Sequence, residues 1–247
     1  MLFLGGSNFD MRLRAPVFDS LLVRHFDVAS YEPRGIGRSE APAGVWTMDD
    51  YADDAVAVMD ALGWKAPCVL GESFGAMTAL RLAIEYPQRV GKLALSAGSP
   101  GGADGAAYPI EELLELPPRE RATAALNIQD TRFSELGSTN PEKAEDQIAS
   151  RMNFEEKFLH TLKNENGYRQ LLSARSGHDC LSELHKIEMP VLIMAGRYDQ
   201  QARVEVSRTM AEKIPNAQLR VYEGGHGFCF SSPEPINDLL AQWLSDS

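Results

Sequence analysis

Gly71-Glu72-Ser73-Phe74-Gly75 sets one serine between two glycines, directly after the apolar run Cys68-Val69-Leu70 and directly before the helical pattern Ala76-Met77-Thr78-Ala79-Leu80. A chain that turns from strand to helix this sharply strains the serine backbone and presents its hydroxyl alone. Glycine is demanded at 71 and 75, because a side chain at either would strike the neighbouring strand or helix. Serine is a poor nucleophile until a base takes its proton, and histidine titrates in the right range to do so. The histidine needs a carboxylate on its other ring nitrogen, to set the tautomer and stabilise the imidazolium. Two further stretches offer these partners, Gly196-Arg197-Tyr198-Asp199 and Gly224-Gly225-His226-Gly227, each following an apolar run. The assignment that results is Ser73 as nucleophile, His226 as general base and then acid, and Asp199 as orienting carboxylate. Of the other histidines, His25 closes a helical pattern, while His160, His178 and His185 fall in a helical block or at its exit.

The elements that must position these residues alternate between strand and helix. Leu2 to Leu4 reads as a strand, stopped by Gly5-Gly6-Ser7-Asn8. Pro16 to His25 reads as a helix with Val17, Phe18, Leu21 and Leu22 on one face, and Phe26 to Tyr31 as a strand. Thr47 to Leu62 is an amphipathic helix with Thr47 as N-cap, Asp49 and Asp50 in the first turn, and Gly63 past its end. Ala66 to Leu70 is a strand, Ser73 to Tyr86 a helix closed by Pro87, and Lys92 to Ser96 a strand ending in Ala97-Gly98-Ser99-Pro100-Gly101-Gly102. From about 109 to 187 the pattern is helical, with charged stretches at Arg119-Glu120-Arg121 and from Glu142 to Lys163 as exposed faces. Strands resume at Pro190–Ala195 and Ala217–Tyr222, with helices near 203–214 and 235–245. This alternation predicts an α/β fold, a doubly wound and mostly parallel sheet, with residues 1–100 and 188–247 as core and 101–187 as an inserted helical cap. Function in such sheets sits at the carboxyl ends of the strands, where Ser73, Asp199 and His226 all fall.

The chain has 247 residues and a formal charge of −11, which disfavours a nucleic-acid partner, since phosphate binding needs clustered Lys and Arg. No apolar run reaches membrane-spanning length, and the start lacks the basic and long apolar regions of a signal peptide. Cys68, Cys180 and Cys229 are odd in number and widely separated, pointing to a reducing cytoplasm rather than a disulfide scaffold.

The order Ser, Asp, His after successive strands resembles the α/β-hydrolase superfamily. Glu32-Pro33-Arg34-Gly35-Ile36-Gly37-Arg38-Ser39 is similar to that family's Asp-x-Arg-Gly-x-Gly-x-Ser loop, with Glu in place of Asp. The match is nearest to the capped group of small esterases, enol-lactonases and carbon–carbon-bond hydrolases. The resemblance implies an acyl-enzyme mechanism on a small ester or lactone, with no metal or organic cofactor and no membrane partner, in a monomer or homodimer. Its alternatives are carbon–carbon hydrolysis of a vinylogous diketone, or a binding protein on a hydrolase scaffold. It also implies an oxyanion hole of two backbone N–H groups, one from Phe74 and one from the loop after the first strand. Gly5-Gly6 stands where relatives carry His-Gly, so the second donor is Ser7, or Asn8 if the register slips by one. Relatives begin with an antiparallel strand pair that is expected to be missing here, where Met1 lies almost on the core strand: either the start is truncated or misplaced, or the sheet is a shortened one with Phe26–Tyr31 as an edge.

Several residues have plainer expectations. Arg34 is expected to be structural, and Glu72 to be structural with the capacity to repel anionic substrates. Cys68 and Cys229 are expected to be buried thiols. Met152, Phe154 and Phe158 are expected to fill the interior of the helical block, with some apolar surface left to the pocket.

Overall fold

The computed structural model describes residues 1–13, 15–161 and 165–245. One sheet holds β1 (Leu2–Leu4), β2 (Ala29–Ser30), β3 (Val69–Glu72), β4 (Leu93–Ser96), β5 (Val191–Gly196) and β6 (Ala217–Tyr222), in the order β2-β1-β3-β4-β5-β6. Every ladder among the described residues is parallel. The chain steps from β1 out to β2, returns to β3 on the other side of β1, and winds away to β6. The winding reverses at the β1–β3 pair, and the carboxyl ends of that pair flank the crevice where such sheets place their sites.

Side chains alternate across the sheet as the pleat requires. Leu2, Leu4, Val69, Leu93, Leu95, Val191 and Ile193 face one core, shared with α1 (Met48–Ala61), α2 (Phe74–Glu85) and α7 (Val204–Lys213). Phe3, Leu70, Ala94, Leu192 and Met194 face the other, shared with α8 (Glu234–Leu244). Strands apolar on both faces are what a parallel sheet covered by helices selects. Helix α1 starts where expected: Asp50 Oδ2 accepts from the Thr47 N–H at 2.8 Å and from its hydroxyl at 2.9 Å. Past its end Gly63 adopts φ +69°, the left-handed conformation a helix stop favours.

Two expectations are corrected. The predicted helix over 16–25 is two 3-10 turns, Pro16–Asp19 and Leu21–Arg24, split by an extended Ser20. The Ser20 hydroxyl donates to the Val17 carbonyl and accepts from the Leu22 N–H, so only Val17 and Leu22 are buried while Phe18 and Leu21 are exposed. The predicted strand over 26–31 pairs only at Ala29–Ser30, because its partner β1 has three residues and Pro33 soon follows. So short an edge offers little for another chain to pair with.

The helical block lies between β4 and β5. It contains a 3-10 segment (Ile110–Glu115), α3 (Pro118–Gln129), α4 (Phe133–Thr139), α5 (Pro141–Thr161), α6 (Glu165–Ser176) and a second 3-10 segment (Leu181–Lys186). Lys163, the last residue of its charged stretch, lies outside the described residues. An antiparallel bridge between Gly101 and Asp179 closes the neck of the block. Ala122, Phe133, Ala144 and Ile148 form its own small core, with Met152 packed against it. Phe158, Leu171 and Leu172 instead pack down onto Trp46, on Tyr51 of α1, and on Phe74 and Met77 of α2. Burying each such side chain contributes about 1.5–3 kcal/mol, enough to hold the block over the crevice.

Arg34 is structural. Its guanidinium pairs with Asp54 at 2.7 Å and Asp50 at 3.2 Å and lies over the Tyr51 and Trp46 rings. Glu32 is buried and accepts from the N–H groups of Arg38 (2.7 Å) and Met11 (3.2 Å), which accounts for a carboxylate at that position.

Candidate active site

Ser73 has φ +56° and ψ −115°, a left-handed conformation costly for any residue with a Cβ. The strain is held from both sides. The Ser73 N–H donates to the Ser96 carbonyl of β4 at 2.8 Å, and α2 begins at the next residue. A Cβ at Gly71 would stand 2.6 Å from the Ala76 Cα, and one at Gly75 would overlap the Leu4 carbonyl of β1. The two glycines therefore let helix and strand close on the turn.

The structure brings the three candidate residues into contact. Ser73 Oγ lies 2.8 Å from His226 Nε2, and His226 Nδ1 lies 2.8 Å from Asp199 Oδ2. Asp199 is buried, and its Oδ1 accepts from the N–H groups of Gln201 (2.7 Å) and Ala202 (2.9 Å). These hydrogen bonds fix the carboxylate and leave Oδ2 aimed at the imidazole. The two loops are also tied together, with Arg197 N–H donating to Tyr222 O and Tyr198 N–H to Gly224 O. His25, His160 and His185 are exposed, and His178 is buried against Cys180, 3.6 Å from its sulfur.

The loop after β1 closes the other side. Gly6, Ser7 and Asn8 line the same cavity as Ser73 and His226, and a Cβ at Gly6 would stand 3.6 Å from that of Ser73. Phe74 is the first residue of α2, so its N–H has no carbonyl one turn earlier in the helix to bond. The cavity measures about 630 Å³ and is roofed by the helical block. Phe154 and Phe158 line it, and Phe158 also belongs to the packing beneath the block.

Sequence reasoning missed several residues here. Gln201 Nε2 lies 3.0 Å from His226 Nε2, so its amide shares that nitrogen with the Ser73 hydroxyl. Tyr168 of α6 lines the cavity together with Ser7, and burial raises the pKa of its phenol above the ordinary value. The end of α3 is sewn to the loops that carry Asp199 and His226: His226 N–H donates to Gln129 O at 2.6 Å, Gln200 N–H to Ile128 O at 2.9 Å, and Thr131 N–H to Tyr198 O at 3.0 Å. None of these contacts has a local signal, since each joins segments tens of residues apart in the chain. Cys229 and Cys180 are buried with their thiol pKa values pushed up by desolvation, Cys180 to about 12, while Cys68 is only half-buried rather than buried. Among the described residues no helix is long and apolar enough to cross a membrane.

Comparison with known proteins agrees with this architecture. Residues 3–233 match the family model described as alpha/beta hydrolase fold. A protein of Caulobacter sp. (strain K31) assigned as a carbamate hydrolase is 30% identical, over 98% of this chain and 88% of its own. A 2-hydroxymuconate semialdehyde hydrolase of Pseudomonas putida is 30% identical over 86% of this chain and 75% of its own. The crystal structure of an enol-lactonase from Burkholderia xenovorans LB400 superposes with a TM-score of 0.78 at 22% identity, covering 99% of this chain and 90% of that one. The chain belongs to the alpha/beta hydrolase fold family and is a hydrolase.

Proposed function

We propose that the protein cleaves a small carboxylic ester or lactone through a covalent acyl-enzyme. The observation that carries this reading is the relay from Ser73 Oγ through His226 to Asp199, at 2.8 Å per link, opening on the roofed cavity. Ser73 Oγ attacks the carbonyl carbon while its proton passes to His226 Nε2. Asp199 holds Nδ1–H in place and offsets the imidazolium charge. The oxyanion is received by the N–H of Phe74 and that of Ser7, each such donor contributing about 2.7–4 kcal/mol to the transition state. His226 returns the proton to the leaving alkoxide, then takes one from the water that attacks the acyl carbonyl and regenerates Ser73. A lactone differs only in that the released alcohol stays joined to the acyl group.

Ser73→Ala tests the assignment. Turnover of a short p-nitrophenyl ester should vanish while the thermal melt is kept, and activity surviving the change would sink the reading. Labelling of Ser73 by a fluorophosphonate separates an enzyme from a binding protein on the same scaffold. A second reading, hydrolysis of a carbon–carbon bond in a vinylogous diketone, draws on the Pseudomonas putida relative and uses the same attack on a carbonyl. Preference for such a diketone over simple esters by orders of magnitude would favour it.

A further inference from the structure

The cavity holds a second charged group, away from the relay. Arg121 of α3 and Arg151 and Glu155 of α5 line the same space as Ser73 and His226. Glu155 sits between the arginines, its Oε2 accepting from Arg121 Nε at 2.9 Å and its Oε1 from Arg151 Nε at 2.6 Å. Arg151 Nη1 also donates to Gln129 Oε1 at 3.2 Å, and Arg121 Nη1 reaches the Leu116 carbonyl at 3.4 Å. The Nη2 groups of both arginines have no protein acceptor among the described residues. One carboxylate against two guanidiniums leaves the trio with one positive charge. The side chains are only 14–21% exposed, so water compensates that charge incompletely.

The remaining charges give the cavity a direction. Glu72 lies beside Ser73 and disfavours an anion at the reacting end, while Lys143 and Asp146 are exposed and offset each other in sign. Arg151 is also near enough to act on the Tyr168 phenol, which lines the cavity with Ser7 and Ser73. A guanidinium with free terminal N–H groups in a partly dry site is built for a planar oxyanion, which it binds with paired hydrogen bonds.

We propose that Arg121 and Arg151 form a carboxylate subsite, so that the preferred substrate is an ester or lactone whose far end carries a carboxylate. The proposal rests on the hydrolase reading of Ser73. The carboxylate seats on the arginines in the roof while the scissile carbonyl lies on Ser73, and Glu72 opposes the reversed pose. Gln129 joins the two ends, because its side chain accepts from Arg151 and its carbonyl accepts from the His226 N–H.

The test compares mono-p-nitrophenyl adipate and suberate with p-nitrophenyl hexanoate and octanoate, two chain lengths being used to bracket the span. The expected result is a kcat/KM at least about tenfold higher for the acids, the effect of a single charge-assisted hydrogen bond to the substrate. That ratio should fall about tenfold in Arg151→Gln and in Arg121→Gln and recover in part in Arg151→Lys. Adipate or suberate should inhibit competitively, and titration calorimetry on the wild type should show binding that weakens with salt and is absent for 1,6-hexanediol. Equal rates for acids and neutral esters, or a ratio unmoved in both variants, would overturn the subsite. Absence of turnover on every ester would count against Ser73 as nucleophile instead. In that event the calorimetry alone decides the subsite, and neither diacid binding would refute it.

Discussion

Alanine at Gly75 is the smallest change that tests whether the turn needs its close approach. The added methyl would stand 2.7 Å from the Gly5 carbonyl oxygen and would overlap the Leu4 carbonyl outright. Both are backbone atoms, so no side chain can rotate away, and β1 or α2 must retreat by more than an ångström to open the approach to the Leu4 oxygen. Overpacking of this kind costs about 1–3 kcal/mol. For a chain of this length that lowers Tm by about 2–12 °C. The retreat also carries Gly6 and Ser7 away from Ser73 and parts the two proposed oxyanion donors. Misplacement by about 1 Å costs about 10²-fold in rate, and loss of one donor about 10²–10³-fold in kcat. The assay pairs a thermal melt with ester hydrolysis, using Gly137→Ala as control: Gly137 lies inside α4 with nothing near its Cβ position, so alanine there should stabilise slightly. A Gly75→Ala protein with wild-type Tm and a kcat within about twofold of wild type would refute the reasoning.

Asp199→Asn should keep the fold and lower kcat by about 10³–10⁴-fold. The amide oxygen would take the hydrogen bonds from Gln201 and Ala202, turning its NH₂ toward His226 Nδ1 and forcing the tautomer that cannot accept the Ser73 proton; an unimpaired variant would remove Asp199 from the relay. His178 predicts acid lability at the neck of the helical block. Burial, aided by Arg81, lowers its pKa from 6.5 to about 4, so the fold keeps it neutral where the unfolded chain already binds a proton. The stability present above pH 6.5 is lost as pH falls from there toward 4, by about 3 kcal/mol in all. Urea midpoints across that window should fall less steeply in His178→Leu, and equal slopes would discount the histidine.

The relay was legible because its signals are local. Strand-turn-helix chemistry marks Ser73 within five residues, and the turns ending in Asp199 and His226 follow apolar runs of the same kind. Parallel connection then carries all three to one edge of the sheet without knowledge of any long-range contact. The N-cap of α1 at Thr47, its acidic first turn, the glycine stop at 63 and the helical character of 109–187 were legible for the same reason. Where a single residue overrode periodicity the reading failed, as when the Ser20 hydroxyl bonded its own backbone and split the expected helix. The strand over 26–31 shortened because its partner ran out, which no property of those residues reveals.

The amino-acid sequence by itself determined the sheet, its winding and the three residues at its carboxyl edge, since turn chemistry and apolar period are properties of neighbours along the chain. Only the tertiary structure decided the roof. Tyr168 and Ser7 in one cavity, Gln201 on His226, the seam from α3 to both loops, and the sharing of Glu155 between α3 and α5 join segments far apart in sequence. Such pairings depend on how helices and loops seat on one another, and helical periodicity specifies which face is apolar but not what that face meets.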